Sequence, residues 1–330
     1  MKKLIVFALF LIAGIGLFLW LVNHIGWAEV WEITRSFGAV KGLAVLALTI
    51  LMAVFGAWRW SVILRSQGYK VPFFTVSELY LAGFALNFFI PMVILVGELF
   101  KAYFLKERKE VPFSQGMASV ISEKILDLTT HFAVIVVGLI VLLFAFGGVV
   151  PKFLSIVMTG VAALGFVVAF FYLKTFRGES IIKFFYPNSN GSLHDVEKEI
   201  IQFFHWKNPA FRKSIALSVL RSMAAFARTA LILIFLGVKL KLLSVIPILG
   251  FYYVALLTPI PASLGSHDAL QVLAFQAFDM PSSFGAAFAL IVRITEAAVG
   301  IVGTVVLTIG GARMAMRIVS NQVAKIFFRS

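Results

Sequence analysis

Charged side chains interrupt several long apolar runs of this sequence. Glu123 and Asp127 are four residues apart, which places them on one face of a helix. Arg221 and Arg228, seven apart, share a face as well. Ionisable groups within lipid are costly and tend to face a partner or a water-filled cavity. Such cations could bind a phosphate, and such acids could balance charge, contact a cationic group or exchange protons. The full set is Glu98, Lys101, Glu123, Lys124, Asp127, Arg221, Arg228, Asp268, Arg293 and Glu296.

A simpler interpretation applies to some of these charges. A long basic side chain near the end of a span can extend to the interface, a behaviour called snorkelling. This interpretation suits Lys124 and Arg221, and for Lys101 it competes evenly with a cavity position. It suits Arg228 and Arg293 poorly, because both lie well inside their apolar runs. We therefore expect a central polar cluster in which acids and bases pair.

Signatures of several enzyme and cofactor classes are missing from the sequence. His267 lies beside Asp268 and close to Ser266, but no G-x-S-x-G turn accompanies them. No HExxH spacing and no P-loop motif occurs. The chain has no cysteine, which excludes disulfides, thiolate metal sites and a cysteine nucleophile. We expect no enzyme activity, no metal and no cofactor.

The composition is that of a membrane protein. Of 330 residues, 61% are hydrophobic and only 13% are charged, whereas soluble domains are about half apolar and a quarter charged. The net charge of +14 would suggest nucleic acid in a soluble protein. Here basic residues are better explained as markers of cytoplasmic loops next to anionic lipid. We expect the bilayer, and no nucleic acid, as a partner.

The apolar runs predict an all-α polytopic membrane protein. Two regions do not fit one clean helix each: 76–107, broken by Pro91 and Gly97, and 243–280, broken by "TPIPASLGSHD" with Pro261 and Gly265. Each resembles two half-length helices joined by an irregular turn. The six runs that fit a full transmembrane span are 4–23, 41–64, 115–147, 151–174, 211–237 and 283–311. The run 115–147 is longer than a membrane needs, so it should tilt or break.

The distribution of basic residues predicts the orientation. With both termini cytoplasmic and both broken regions re-entrant, most lysines and arginines fall inside, as the positive-inside rule requires. The chain then forms a single integral membrane domain, 1–330, of the inner (plasma) membrane. Its segments 41–147 and 211–311 form two inverted repeats, an architecture typical of transporters. The loop 175–210 is basic, amphipathic and cytoplasmic, and its helix should lie in the interface.

Broken helices within a membrane require a polar environment. Irregular backbone survives there only where protein or a water-filled cavity satisfies its polar groups. The amide groups near Gly97 and Gly265 stand at the start of the second half-helix of each region, and a helix N-terminus attracts anions. We therefore expect both regions to line one cavity.

Four short motifs, taken in order, resemble the flippase-like integral membrane family, which includes the transmembrane region of lysylphosphatidylglycerol synthase. They are "NFFIPMVILVGELFKAYFL", "SEKILDL", "PIPASLGSHDAL" and Arg293. The resemblance covers nearly the whole chain. The resemblance implies a set of lipid-binding residues: Asn87, Pro91, Gly97, Glu98, Lys101, Glu123, Asp127, Pro261, Gly265, Asp268 and Arg293. The sequence departs from the family pattern at Lys101 and Lys124, where arginine is usual, and at Asp268, where glutamate is usual.

The resemblance implies movement of a lipid between leaflets. We expect a translocase that carries a phospholipid or lipid-linked precursor through a central charged cavity. We expect no aminoacyl-transfer domain and hence no lipid lysylation. Two alternatives stay open: a membrane enzyme acting on a lipid-linked substrate, and a non-catalytic subunit. A homodimer is compatible with this architecture, and nothing in the sequence requires it.

Overall fold

The computed structural model describes residues 15–16, 18–89, 96–109, 111–145, 152–185, 191–238, 242–257 and 264–327. Within these ranges every regular element is a helix. In chain order the elements are α1 (described over residues 18–25), α2 (Trp27–Ser36), α3 (Gly38–Ser66), α4 (Phe73–Phe89), α5 (Val96–Lys109), α6 (Phe113–Ala145), α7 (Lys152–Phe176), α8 (Ile181–Phe185), α9 (Ser192–Phe203), α10 (Pro209–Phe235), a 3₁₀ turn (Leu242–Ser244), α11 (Val245–Leu256), α12 (Ser266–Gln276) and α13 (Ser282–Phe327).

Five of the described helices are long and apolar enough to cross a membrane. They are Gly38–Ser66, Phe113–Phe144, Ser155–Phe176, Pro209–Phe235 and Ser282–Gly310. The all-α, multi-span prediction is confirmed, and each of these five matches a predicted run. The sixth predicted span, 4–23, lies mostly outside the described residues.

The two longest helices extend well beyond the thickness of a bilayer. With 33 residues, α6 is about 50 Å long, against a hydrocarbon core of about 30 Å. It shows no break between Phe113 and Ala145, so the excess length must be taken up by tilt or by extension beyond the lipid. The last helix, α13, has 46 residues and continues past the predicted end at 311.

Each broken region contains two short helices that contact each other. They are α4 with α5, and α11 with α12. The turns between them, 90–95 and 258–263, lie outside the described residues, and with them Pro91 and Pro261. The two regions therefore have the predicted pair of short helices.

The glycine at position 97 serves a different purpose from the predicted one. Gly97 is the second residue of α5, so it lies in a helix rather than in a turn. A Cβ built on it would come within 2.3 Å of the carbonyl oxygen of Gly83 in α4. Its glycine identity thus permits the close approach of α4 and α5, as small residues do at helix contacts in membranes. Gly265, in contrast, has a φ of 74° directly before α12 and does form a turn.

The two halves of the chain pack in the same pattern. The first long helices, α3 and α10, lie against each other. The short helix α4 packs on α13 of the other half, and α11 packs on α6 in the corresponding way. Glycines allow both approaches. A Cβ on Gly303 of α13 would meet the backbone of Leu81 in α4, and a Cβ on Gly138 of α6 would meet the backbone of Pro247 in α11. The polar side chains that project from these helices therefore meet where the two halves join.

The helix α9 lies in the segment between the two halves. Its apolar residues Ile200 and Phe203, with Phe204 just after it, are buried against Leu126 and Phe211 of the same chain. The amphipathic pattern thus reflects packing on α6, whereas the sequence suggested an apolar face turned to the interface. Trp206 is exposed.

The carboxylate of Glu197 fixes the start of α8. Its Oε1 accepts hydrogen bonds from the backbone N–H groups of Ile181 (2.6 Å) and Ile182 (2.8 Å), and its Oε2 accepts one from Ser180 Oγ. Burial by itself would raise the pKa of Glu197, but the hydrogen bonds from Ser180 and the two N–H groups outweigh burial and lower the pKa. The charged carboxylate therefore stabilises this turn.

Hydrogen exchange at Ile181 and Ile182 tests this cap. A lowered folded pKa means that the stabilisation is present above the unfolded value, about 4.3, and is lost as the pH falls through the folded pKa. Glu197→Gln should lower the protection of both amides at pH 7 by about 1–2 kcal/mol. Glu199→Gln, which removes the same charge from the same helix, serves as the control. Equal protection in wild type and Glu197→Gln would disprove the cap.

Candidate functional site

Five charged side chains form an unbroken series of ion pairs inside the bundle. Lys101 Nζ lies 2.9 Å from Glu123 Oε2, and Arg59 Nη2 lies 3.1 Å from Glu123 Oε1. The same Arg59 nitrogen is 2.7 Å from Asp127 Oδ1, which also accepts from Arg221 Nη1. We call this series, Lys101–Glu123–Arg59–Asp127–Arg221, the ion chain.

Four helices from both halves supply the ion chain. Arg59 comes from α3, Lys101 from α5, and Glu123 with Asp127 from α6, where their spacing of four puts them on one face. Arg221 comes from α10 of the second half. Arg59 Nη1 also donates to Ser218 Oγ of α10 at 2.8 Å. The ion chain thus ties α10 to the first half.

The lysine end of the ion chain is closed off by aromatic rings. Lys101 is 4% exposed, and its Nζ lies 5.0 Å from the ring centre of Trp60 and 5.4 Å from that of Tyr80. Both distances suit a cation–π contact. Trp60 Nε1 in turn donates to Ser119 Oγ at 3.1 Å. This end of the ion chain is therefore held in a packed, ring-lined position.

A separate ion pair stands at the start of α5. Lys124 Nζ lies 3.0 Å from Glu98 Oε1, and Glu98 is 1% exposed. Asn87 Nδ2 donates to both Glu98 oxygens at 3.0 and 3.3 Å, and Asn87 Oδ1 accepts from the N–H of Gly97 at 3.0 Å. Asn87 therefore links α4 to the first turn of α5.

The second half has its own group of charges, which we call the second cluster. Arg293 Nη2 lies 2.5 Å from Asp268 Oδ2, which also accepts from the N–H of Gly265 at 2.9 Å. Arg228 Nη1 lies 3.0 Å from Glu296 Oε1, and the Tyr252 hydroxyl donates to the same oxygen at 2.5 Å. The second cluster is Arg228, Tyr252, Asp268, Arg293 and Glu296.

The charges of the two halves follow one pattern. In each half an acid at the start of a short helix pairs with a base on the following long helix: Glu98 with Lys124, and Asp268 with Arg293. Three residues after that base comes a second acid, Asp127 or Glu296, which pairs with an arginine near the C-terminal end of the first long helix. Those arginines are Arg59 on α3 and Arg228 on α10. This correspondence was not visible from the sequence, because only one arginine of the pair was identified there.

A cavity lies where residues of the ion chain meet Tyr252 of the second cluster. Its empty volume is about 340 Å³, including its open mouth, and Arg59, Asp127 and Arg221 line one side. Tyr252, whose hydroxyl reaches Glu296, lines another. The remaining lining residues are Met52, Thr130, His131, Ser218, Ser222, Tyr253 and Leu256. Nine of its eleven lining residues are polar or charged, although the helices around it are apolar.

The structure brings most of the predicted site residues into contact. Lys101, Glu123, Asp127 and Arg221 lie in the ion chain, and Asn87, Gly97 and Glu98 lie at the start of α5. Gly265, Asp268, Arg228, Arg293 and Glu296 lie together around the second cluster. Arg221 pairs with Asp127, so the ion pair rather than snorkelling accounts for its position. Lys124 also pairs, with Glu98, although 44% of its side chain is exposed.

Sequence reasoning missed Arg59, the residue at the centre of the ion chain. Arg59 is 1% exposed, but it stands five residues before the end of the predicted span 41–64, where an arginine can be taken for an interfacial one. The signal was its place within an apolar run, between Trp58 and Trp60. Tyr252 and His131 were missed for another reason, because aromatic residues are common in membrane helices. His131 stacks on Tyr253 with ring centres 4.0 Å apart.

The charged groups could bind an ionic headgroup, and no metal site accompanies them in the part of the chain that the structure describes. There, no three histidine, aspartate or glutamate side chains are grouped in a way that could hold a metal ion. Each described acid of the site has a cation within hydrogen-bond distance. The arrangement suits reversible exchange of ion-pair partners.

Comparison with known proteins gives the family. A family model described as the lysylphosphatidylglycerol synthase TM region matches residues 5–303. The chain belongs to this family. The UPF0104 membrane protein MJ1595 of Methanocaldococcus jannaschii is 26% identical over 298 residues, which cover 84% of this chain and 86% of that protein. The resemblance drawn from the four motifs is thus confirmed, and the chain is a multi-pass integral membrane protein of a lipid-related family.

Proposed function

We propose that this protein is a lipid translocase, which moves the headgroup of a phospholipid or lipid-linked precursor between leaflets through the central cavity. The observation that carries the proposal is the position of this polar cavity, where residues of the ion chain meet Tyr252 of the second cluster within apolar helices. The acyl chains remain in the surrounding lipid. On this proposal the protein is not an enzyme and needs no cofactor.

The energetic cost of the buried charges supports a functional role. Removing two charges from water costs several kcal/mol per ion, and well-packed apolar residues of similar volume often stabilise a protein more. The ion chain alone holds four side chains that are at most 14% exposed. Since stability would be served as well by apolar residues, the charges indicate binding of a polar substrate.

The arginines also have a physical means of releasing a headgroup. Arg59 and Arg221 each contact Asp127 at the edge of the cavity. A phosphate that enters the cavity competes with this carboxylate for the same donors. When the headgroup leaves, the carboxylate restores the ion pairs. Such exchange leaves Arg59 and Arg221 with an anionic partner at every stage.

The shared pattern of the two halves supports movement in both directions across the membrane. We propose that 41–147 and 211–311 are inverted repeats, and that the short helices form re-entrant hairpins, one from each side. Both termini then face the cytoplasm, and the protein resides in the inner (plasma) membrane. In transporters of this kind, rocking of one repeat against the other opens a central site to alternate sides. The family description, which names the membrane region of a lipid synthase, supports a lipid substrate.

A leaflet-exchange assay tests the proposal. The purified chain is placed in liposomes with a panel of labelled lipids, and exchange between leaflets is measured. Glu98→Gln and Arg293→Ala should each slow exchange by roughly tenfold or more, equivalent to about 1.4 kcal/mol, because each loses an ionic contact of the site. Glu199→Gln, outside the site, should exchange like wild type. Unimpaired exchange in both site variants would show that the residues are wrongly assigned, and no exchange of any lipid would favour an enzyme or a subunit.

A further inference from the structure

The ion chain has more positive than negative charges. It alternates in sign and ends in a cation on both sides, so three cations face two carboxylates. The Glu98–Lys124 pair is neutral and does not alter this balance. The second cluster is neutral as well, with two arginines and two carboxylates. One positive charge of the ion chain is therefore uncompensated among these groups.

The uncompensated charge lies on the side of the cavity. Lys101 is enclosed by Trp60 and Tyr80 and cannot meet a ligand without disturbing them. Arg221, at the other end, is 22% exposed and lines the cavity. Beside it, Arg59 lines the same cavity, although its side chain is only 1% exposed and its two Nη atoms already donate to Ser218, Glu123 and Asp127. Arg221 is therefore the more accessible of the two guanidinium groups, and Arg59 can bind an anion in exchange for Asp127.

An anion of charge −1 would neutralise this site. An uncompensated charge in a low-dielectric interior is unfavourable, and a matching counter-charge lowers its free energy. Guanidinium groups are well suited to phosphate oxygens, since their planar donors can bind two of them at once. Ser222, which also lines the cavity, can add a hydroxyl donor.

We propose that the cavity binds the phosphodiester of a lipid with a net charge of −1, with Arg221 and Arg59 as its ligands. The translocated lipid is then anionic, and zwitterionic or net-cationic lipids are poor substrates. This inference rests on the proposed function for its lipid source. The ligand chemistry, a phosphate anion, follows from the charge balance itself.

Binding can be measured without transport. The purified full-length chain in a non-ionic detergent is titrated with dihexanoylphosphatidylglycerol, dihexanoylphosphatidylcholine or inorganic phosphate, and the thermal unfolding midpoint is followed. A ligand that binds the folded state raises this midpoint. The phosphatidylglycerol should raise it at concentrations roughly tenfold or more below those needed for the phosphatidylcholine. If inorganic phosphate is as effective as the lipid, the site takes a free anion and the lipid assignment is wrong.

Two substitutions with opposite expected effects separate charge from folding. Arg221→Gln makes the ion chain neutral, and should weaken phosphatidylglycerol binding by about tenfold or more. Asp127→Asn adds a second uncompensated charge and should strengthen it, which a simple structural defect would not do. Should Asp127→Asn fail to fold, Glu123→Gln makes the same change in charge. Lys213→Gln removes a positive charge from an exposed position of the same helix and should leave binding unchanged.

The outcomes distinguish this inference from the proposed function. Equal binding of the two lipids, or unaltered binding in Arg221→Gln, would overturn the anionic-headgroup site. If instead binding follows charge as expected but liposomes show no exchange, the site stands and the translocase proposal fails. If liposomes show exchange without any preference for anionic lipids, the translocase proposal stands and the anionic-headgroup site fails.

Discussion

Replacing Arg228 with methionine is expected to destabilise the protein by about 3–5 kcal/mol, as is typical when one partner of a buried ion pair is removed. The Arg228 side chain is 1% exposed and that of Glu296 is 12% exposed, so water can do little to replace the guanidinium. The Glu296 carboxylate would keep the hydrogen bond from the Tyr252 hydroxyl but lose the cation that neutralises its charge. Unfolding of the purified protein in detergent, by heat or denaturant, measures the loss.

A double variant shows whether the pair itself is responsible. Adding Glu296→Gln to Arg228→Met removes the stranded charge and should restore about 1–3 kcal/mol, the range of coupling between residues in contact. Lys213→Met, at an exposed position of the same helix, should change stability by less than about 0.5 kcal/mol. If the double variant is as unstable as the sum of the two single changes, Arg228 and Glu296 are not coupled and the second cluster is wrongly described.

Asp127→Asn is expected to slow lipid exchange by about 100-fold, equivalent to about 2.7 kcal/mol, while headgroup binding becomes tighter. Asp127 contacts both Arg59 and Arg221, and its carboxylate competes with a headgroup phosphate for them. Asparagine keeps the size of the side chain but loses its charge. No carboxylate then competes with a bound phosphate for the two arginines, so the phosphate dissociates more slowly. Exchange in liposomes and binding in detergent, measured on the same preparation, would show the two effects together.

The opposite directions of these effects are the informative feature. Glu199→Gln, which lies on α9 outside the site, is the matched control and should alter neither quantity. A variant in which binding and exchange decline together would indicate that Asp127 positions the arginines. In that case partner exchange would not be the means of release.

Much of the helical architecture could be predicted from the sequence. Apolar runs and positive charges identify spans without knowledge of their partners, which is why five of the spans agree. The breaks at 76–107 and 243–280 were visible because proline and glycine interrupt the apolar pattern. Helical spacing also placed Glu123 and Asp127 on one face. Each of these features depends on residues close together in the chain.

The features that could not be predicted depend on contacts between distant segments. Spacing shows which residues share a face but not what that face meets, so the pairing of Asp127 with Arg221 across 94 residues had no signal. The same limit applies to α9, whose apolar side could have met lipid but packs on α6. The role of Gly97 became clear only with the position of Gly83. Arg59 was overlooked because it lies near the end of a predicted span, where an arginine side chain is usually exposed, whereas in the structure it is buried.

The most direct test of the proposed translocation route is to block the cavity lined by Arg59, Asp127 and Arg221. The chain contains no cysteine, so Ser222→Cys introduces a single thiol that lines the cavity. Ile156→Cys, 75% exposed on α7, provides the control. Each protein is reconstituted, treated with a bulky methanethiosulfonate reagent, and assayed for exchange of an anionic lipid. We expect labelled Ser222→Cys to lose exchange, with unlabelled Ser222→Cys and labelled Ile156→Cys remaining active. Full exchange by labelled Ser222→Cys would show that the headgroup does not pass through this cavity.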